Sequence, residues 1–177
     1  IRLYFIDPPI VNAGIDQAFC QNEPIQLTGL VSGPNSVGTW ATMGTGSFNP
    51  SPNLLSTVYF PSSSDLANGG VNLILSSGSA FGCIPDNDTL VVTFKSSPTA
   101  AFSATSVCQG LNTIFTDNSI SSAGTINNWN WDFGDSGTSI TADPAHTYPT
   151  SGSFVTTLVV GSSNGCYDTI QQNITVN

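Results

Sequence analysis

Positive charge is almost missing from this chain: Arg2 and Lys95 stand alone against eleven Asp and Glu, a net charge of −9 over 177 residues. Two isolated cations cannot neutralise a run of phosphates, which excludes nucleic acid as a partner. Charged residues make up only 7% of the chain, so solubility rests on Ser, Thr, Asn, Gly and the net negative charge. No apolar run approaches the ~18 residues of a membrane-spanning helix, so direct membrane insertion is not expected. The one histidine, His146, has neither a serine triad nor a metal triad within recognisable spacing. No nucleophile, base and orienting group occur in a known arrangement, and a free-standing enzyme is not expected.

Four cysteines are present, Cys20, Cys83, Cys108 and Cys166, and none sits in a CxxC. That spacing excludes zinc knuckles and dithiol redox motifs. Each half of the chain holds one pair separated by roughly sixty residues, as in a sandwich stapled between its two sheets. The expected bridges are therefore Cys20–Cys83 and Cys108–Cys166, each stabilising its module by about 4 kcal/mol through loop closure. Such bonds imply an oxidising, extracellular location.

The rest of the chain is short strands. Residues 25–30, 38–42, 57–60, 71–75 and 89–94 of the first half, and 101–104, 113–116, 128–133, 139–142, 154–160 and 169–176 of the second, are β-branched or aromatic and bounded by turn residues. No helix is required. An internal repeat relates the halves: Pro9 to Pro98, Phe19-Cys20-Gln21 to Val107-Cys108-Gln109, Trp40 to Trp129 through Trp131, and Cys83 to Cys166. The fold class expected is all-β, two tandem immunoglobulin-like sandwiches over residues 8–96 and 97–177, joined so tightly at Lys95-Ser96-Ser97-Pro98 that they form a beaded rod. Residues 1–7 alternate like a strand and are expected to be the terminal strand of a preceding module or a borrowed edge strand. The chain would then be part of something longer, with its export signal and anchor elsewhere.

The segment Trp131-Asp132-Phe133-Gly134-Asp135-Ser136-Gly137, followed by Pro144, His146 and Tyr148, resembles the signature of the polycystic-kidney-disease (PKD) domain, an extracellular immunoglobulin-like spacer and adhesion module. Ser136 departs from the pattern, where glycine is usual. The resemblance implies that His146 and Tyr148 tie their loop to the acidic turn, and Tyr59 stands at the corresponding corner of the first half. Residues 8–94 lack this turn. In Ala13-Gly14, Phe19-Cys20, Gly38-Thr39-Trp40, Gly44-Thr45-Gly46-Ser47-Phe48 and Ser64-Asp65 they resemble instead the tandem repeats of giant adhesins on gliding Bacteroidetes, exported by the type IX system, which implies a structural and adhesive role on a cell surface. The partners so implied are neighbouring modules of one long chain and surface polysaccharide or another extracellular polymer. The alternative is an accessory region of a secreted protease or chitinase.

Individual residues divide accordingly. Trp40 and Trp131 are expected in the cores. Trp129 shares the parity of Trp131 on one strand, and a core already holding Trp131 and Phe133 leaves it partly exposed, the candidate for surface contact. Asp117, Asn118, Asp132 and Asp135 could supply oxygen ligands to calcium, the one cofactor considered. The plainer expectation is that Asp132 and Asp135 accept hydrogen bonds from turn backbone and from His146. Thr89 and Thr169, each after Asp and before a bulky apolar residue, resemble the O-glycosylation site of exported Bacteroidetes proteins. Asn87 and Asn173 fit the N-x-[ST] acceptor pattern.

Overall fold

The computed structural model describes residues 7–21, 23–33, 36–79, 84–105 and 108–177. The opening strand expected over residues 1–7, all but Asp7, and Cys83 lie outside these residues. The chain divides into two compact units, Ile1–Phe94 and Lys95–Asn177, and each is an all-β sandwich with its own core.

In the first unit, β1 (Ile10–Asn12), β2 (Gln17–Cys20), β3 (Ile25–Thr28), β4 (Leu30–Ser32), β5 (Gly38–Thr42), β6 (Ser47–Asn49) and β7 (Ser56–Phe60) precede a short helix α1 (Ser63–Ala67), then β8 (Gly70–Ser77) and β9 (Asn87–Lys95). One sheet runs β2-β9-β8-β5 and the facing one β3-β7-β6, with β1 and β4 paired apart. Strict alternation builds the core. Ile25 and Leu27 of β3, Leu73 and Leu75 of β8, and Leu90 and Val92 of β9 are buried while their neighbours face out, and they enclose Trp40 and Tyr59. Side chains two apart fall on one face of a strand, so each strand contributes every second residue.

The helix α1 was not expected. It begins at a capping box, in which the Ser62 hydroxyl accepts from the Asp65 amide while the Asp65 carboxylate accepts from the Ser62 amide. The pattern Ser62-x-x-Asp65 is the sequence signal for such a start. Only five residues follow before Asn68-Gly69 ends the helix, too short for helical periodicity to show.

The second unit contains β10 (Phe102–Ala104), β11 (Asn112–Asp117), β12 (Ile126–Asp132), β13 (Thr138–Ser139), β14 (Ala145–Thr147), β15 (Gly152–Ser162) and β16 (Tyr167–Val176). Its sheets are β13-β12-β15-β16 and β10-β11-β14. Aromatic rings fill the space between them: Phe102 meets Trp131 edge-on at 5.0 Å, Phe115 lies 5.4 Å from Trp131 and 5.0 Å from Phe133. Trp131 and Phe133 are both buried, one residue of the opposite face between them.

The expected Cys108–Cys166 bridge is overturned. Cys108 is free and exposed, whereas Cys166 is buried and disulfide-bonded. The reason lies in strand direction. Cys108 precedes Gln109, whose amide donates to Asn177 O at 2.8 Å just past the end of β16, while Cys166 immediately precedes its start. A ten-residue strand separates them, about 30 Å, where a disulfide tolerates no more than about 7 Å between Cα atoms. Cys20 is likewise in a disulfide.

Candidate functional site

The most chemically dense place in the second unit is the corner where β12 ends. After Asp132 the chain turns over Gly134, whose carboxylate-bonded amide donates to Asp132 Oδ1 at 2.9 Å, and the Gly137 amide then donates to Asp135 Oδ1 at 3.0 Å. Each Asp thus caps the amide two residues on, an Asx turn. The left-handed positions are Gly134 (φ 83°) and Ser136 (φ 75°), the latter a conformation that a residue with a Cβ adopts at a cost of about 1 kcal/mol. Gly137 serves otherwise: a Cβ there would lie 2.5 Å from His146 Cε1, so the missing side chain admits the imidazole.

His146, on β14, reaches that space from the other sheet. Its Nε2 lies 2.8 Å from Asp135 Oδ2 with both side chains largely buried. Its ring stacks on Phe133 at 4.2 Å and 8° and meets Tyr148 edge-on at 4.6 Å. Burial alone would raise the Asp135 carboxyl; the His146 and Gly137 hydrogen bonds and the charge on His146 outweigh it and hold the group below the usual carboxylate range. Tyr148 is fully buried and donates to Phe133 O at 3.1 Å, a carbonyl also approached by Thr156 Oγ1 at 3.4 Å. Burial raises the Tyr148 phenol. The Asp135–His146 pair and the Tyr148 and Thr156 hydroxyls tie the end of β12 and its turn to β14 and β15.

Trp129 is half-buried on the inner face of β12, packed at the rim of the core. Its indole Nε1 donates to Asp117 Oδ2 at 2.7 Å, while Asp117 Oδ1 accepts from the Ser119 amide at 3.0 Å. Asp117 ends β11 on one sheet and Asp132 ends β12 on the other. The Asn118 amide group donates to Ser103 Oγ at 3.1 Å. Among the described residues no three His, Cys, Asp or Glu side chains converge as metal ligands, so Asp117, Asn118, Asp132 and Asp135 form no common oxygen cage and are engaged separately. Thr89 and Thr169 are both exposed on the final strands.

The first unit has its own polar corner, which sequence reasoning located only through Tyr59. The fully buried Tyr59 hydroxyl donates to Asp65 Oδ2 at 2.8 Å. It therefore accepts from Thr42 Oγ1 at 2.9 Å and from the Gly46 amide at 3.1 Å. Thr42 accepts in turn from the Gly44 amide at 2.9 Å. All donors point one way along this relay, so each bond polarises the next. Asp65, only 2% exposed, also accepts the Thr45 amide at 3.0 Å and the Ser62 amide at 2.9 Å. Burial would raise its carboxyl; the Ser62, Thr45 and Tyr59 donors overcome this and lower it. Burial, reinforced by Asp65 against the Thr42 bond, raises the Tyr59 phenol.

Trp40 and Trp131 occupy equivalent places. Both are buried, and each indole donates to a carbonyl of the segment after its strand, Leu55 O at 3.2 Å and Thr141 O at 2.9 Å. A shallow cleft of about 320 Å³ in the first unit is lined by Met43, Asn68, Gly69, Asn72 and Val91, and the one carboxylate at its wall is the fully bonded Asp65. It offers no acid, base or nucleophile free to act.

Residues 95–177 match a family model described as the PKD domain. Among solved structures, the PKD1 domain from the Vibrio cholerae metalloprotease PrtV is 37% identical, spanning 46% of this chain and 98% of its own, with a TM-score of 0.42. A structure on the promiscuous specificity of carbohydrate-binding modules of the β-sandwich superfamily is 27% identical over 46% of this chain and 34% of its own, TM-score 0.44. Fibronectin(III)-like modules of Clostridium thermocellum CbhA are 14% identical over 95% of this chain and 94% of their own, TM-score 0.46. No curated protein matches the chain.

Proposed function

The chain belongs to the PKD-domain family through residues 95–177, and from that premise we propose that its two sandwiches are a non-catalytic structural and adhesive segment of a large extracellular protein. They act as stiff spacers that hold binding surface away from the cell. The observation that carries this reading is the complete internal use of both polar corners: Asp65, Tyr59, Asp135, His146 and Tyr148 all bond to their own module. A site that acts on a substrate keeps such groups available to it. The resemblance of residues 8–94 to repeats of gliding adhesins supports a bacterial cell surface, with neighbouring modules of the same chain as first partners. Thr89 and Thr169 are exposed, as sites of glycan attachment would need to be.

A second reading, a substrate-binding accessory module of a secreted hydrolase, draws on the half-exposed Trp129. An array of extracellular polysaccharides and collagen separates the two. The spacer reading expects Trp129→Ala to leave the response to every polymer unchanged, whereas saturable binding abolished in Trp129→Ala with the fold intact would replace it with the second.

A further inference from the structure

Asn-Gly occurs twice in the chain, as Asn68-Gly69 in the first module and Asn164-Gly165 in the second, and the fold holds the two differently. In this dipeptide the asparagine carboxamide is most open to attack by the backbone nitrogen that follows it. Glycine has no Cβ to shield that nitrogen, and it adopts the dihedral angles that ring closure demands.

Asn68 ends α1 with φ −76° and ψ −7°, and both it and Gly69 are exposed. The Asn68 amide donates to Ser64 O at 3.0 Å and the Gly69 amide to Leu66 O at 3.1 Å. Among the described residues the Asn68 carboxamide has no hydrogen-bond partner. A Cβ placed on Gly69 would meet nothing within 4 Å, so the space around this peptide is open. One hydrogen bond, from the Gly69 amide, is all that keeps this nitrogen from turning toward Asn68 Cγ.

Asn164 lies in the turn between β15 and β16, and every part of it that would react is held. The Gly165 amide donates to Ser162 O at 2.9 Å. Asn164 Oδ1 accepts from the Ser162 hydroxyl and from the Cys166 amide at 3.0 Å, while Nδ2 donates to Ser96 O at 2.8 Å. Four bonds thus fix the nitrogen and the carboxamide, against one at Asn68.

We propose that Asn68 is a self-modifying site of the first module, converted in the folded protein to aspartate and isoaspartate while Asn164 is protected. The Gly69 nitrogen gives its proton to solvent and bonds to Asn68 Cγ; the Cγ–Nδ2 bond breaks, and that nitrogen takes up a proton and leaves as ammonia. The cyclic succinimide then adds one water. Opening at Cγ gives aspartate, and opening at the Asn68 carbonyl carbon gives isoaspartate, whose main chain runs through Cβ and Cγ. Nothing is oxidised or reduced, and water is the only co-reactant. Either product sets a carboxylate on the wall of the cleft beside Met43, Asn72 and Val91. The isoaspartate also lengthens the main chain where α1 hands over to β8. No partner is involved, so the site stands whether the module is a spacer or grips a polymer.

The test keeps the whole chain folded in warm neutral buffer for several weeks, then reduces, denatures and digests it with trypsin. Arg2 and Lys95 are its only basic cleavage points, so residues 3–95 and 96–177 separate with one Asn-Gly in each. Fragment 3–95 is expected to gain a negative charge on ion exchange and to carry isoaspartate by methyltransferase labelling. Fragment 96–177 is expected to convert roughly a hundredfold more slowly, because three more hydrogen bonds must open. In urea the two should convert at similar rates, as the fold and not the dipeptide sets the difference. Asn68→Gln keeps a carboxamide but requires a larger ring, and should abolish the gain in fragment 3–95. The proposal is overturned if the folded chain modifies 3–95 no faster than 96–177, if the difference survives in urea, or if the gain persists in Asn68→Gln.

Discussion

The two sandwiches place a buried tyrosine at the same corner and secure it with different chemistry. Tyr59 donates its hydroxyl hydrogen bond to a buried carboxylate, and Asp65 is held by a helix cap and a neighbouring loop. Tyr148 donates to the neutral carbonyl of Phe133, while the charge of that module sits one layer outward in the Asp135–His146 pair. A charge at the centre of a network makes the network all-or-none, because removing one partner strands the others. A charge at its edge can be lost with the centre intact. The first module should therefore be the more brittle to substitution and the second the more tolerant.

The largest effect that would sharpen this contrast is truncation of the carboxylates. Asp65→Ala leaves Tyr59 and two amides without an acceptor in a dry site and should cost about 4 kcal/mol. Asp135→Ala exposes its partners to water and should cost about 2 kcal/mol. Urea unfolding followed by indole NMR measures both, since Trp40 reports the first module and Trp129 and Trp131 the second. Equal losses would remove the distinction.

Acid probes the same pair. Both carboxyls are depressed in the native state, so the stability they contribute is complete above about pH 4, the unfolded value, and is lost as pH falls through the lower native one. Melting temperatures of both modules should drop between about pH 5 and about pH 2. In Asp65→Asn the first module should lose this dependence while the second keeps it. At the other extreme, the raised phenols of Tyr59 and Tyr148 contribute stability that persists below about pH 10 and fades above it.

Much of this architecture was written in local pattern. Alternating apolar residues located the strands of both sheets, and the internal repeat put Tyr59 opposite Tyr148 before any contact was known. The Asx turns followed from Asp-x-Gly spacing, and the Asp135–His146 tie from the resemblance of Pro144-x-His146-x-Tyr148 to the PKD pattern. What escaped were contacts that depend on which end of a strand a residue occupies. Cys108 and Cys166 have the sequence separation of a sandwich staple, but a separation carries no direction, and β16 keeps them at its opposite ends. Asp65 was missed although Ser62-x-x-Asp65 announces a helix start, because a five-residue helix leaves no periodicity to prompt the search. The left-handed conformation of Ser136 likewise carried no sequence signal, because serine rarely adopts it.

That last point gives a smaller prediction confined to the second module. Ser136→Gly relieves a left-handed residue with a Cβ and should stabilise by about 1 kcal/mol, read as a higher melting temperature of the Trp131 signal with Trp40 unchanged. Smaller still, Cys108→Ser should shift stability by less than about 0.5 kcal/mol, because the thiol is free and exposed. Native-state alkylation should label Cys108 and not Cys166.

The most direct measurement compares Tyr59→Phe with Tyr148→Phe by urea unfolding, each followed at the indole signals of both modules. Removing the Tyr59 hydroxyl breaks a charge-assisted bond and orphans the donors that feed it, an expected loss of about 3 kcal/mol confined to Trp40. Removing the Tyr148 hydroxyl leaves Phe133 O with Thr156, an expected loss of about 1.5 kcal/mol confined to Trp129 and Trp131. Equal losses in the two variants, or a larger loss in Tyr148→Phe, would contradict the account.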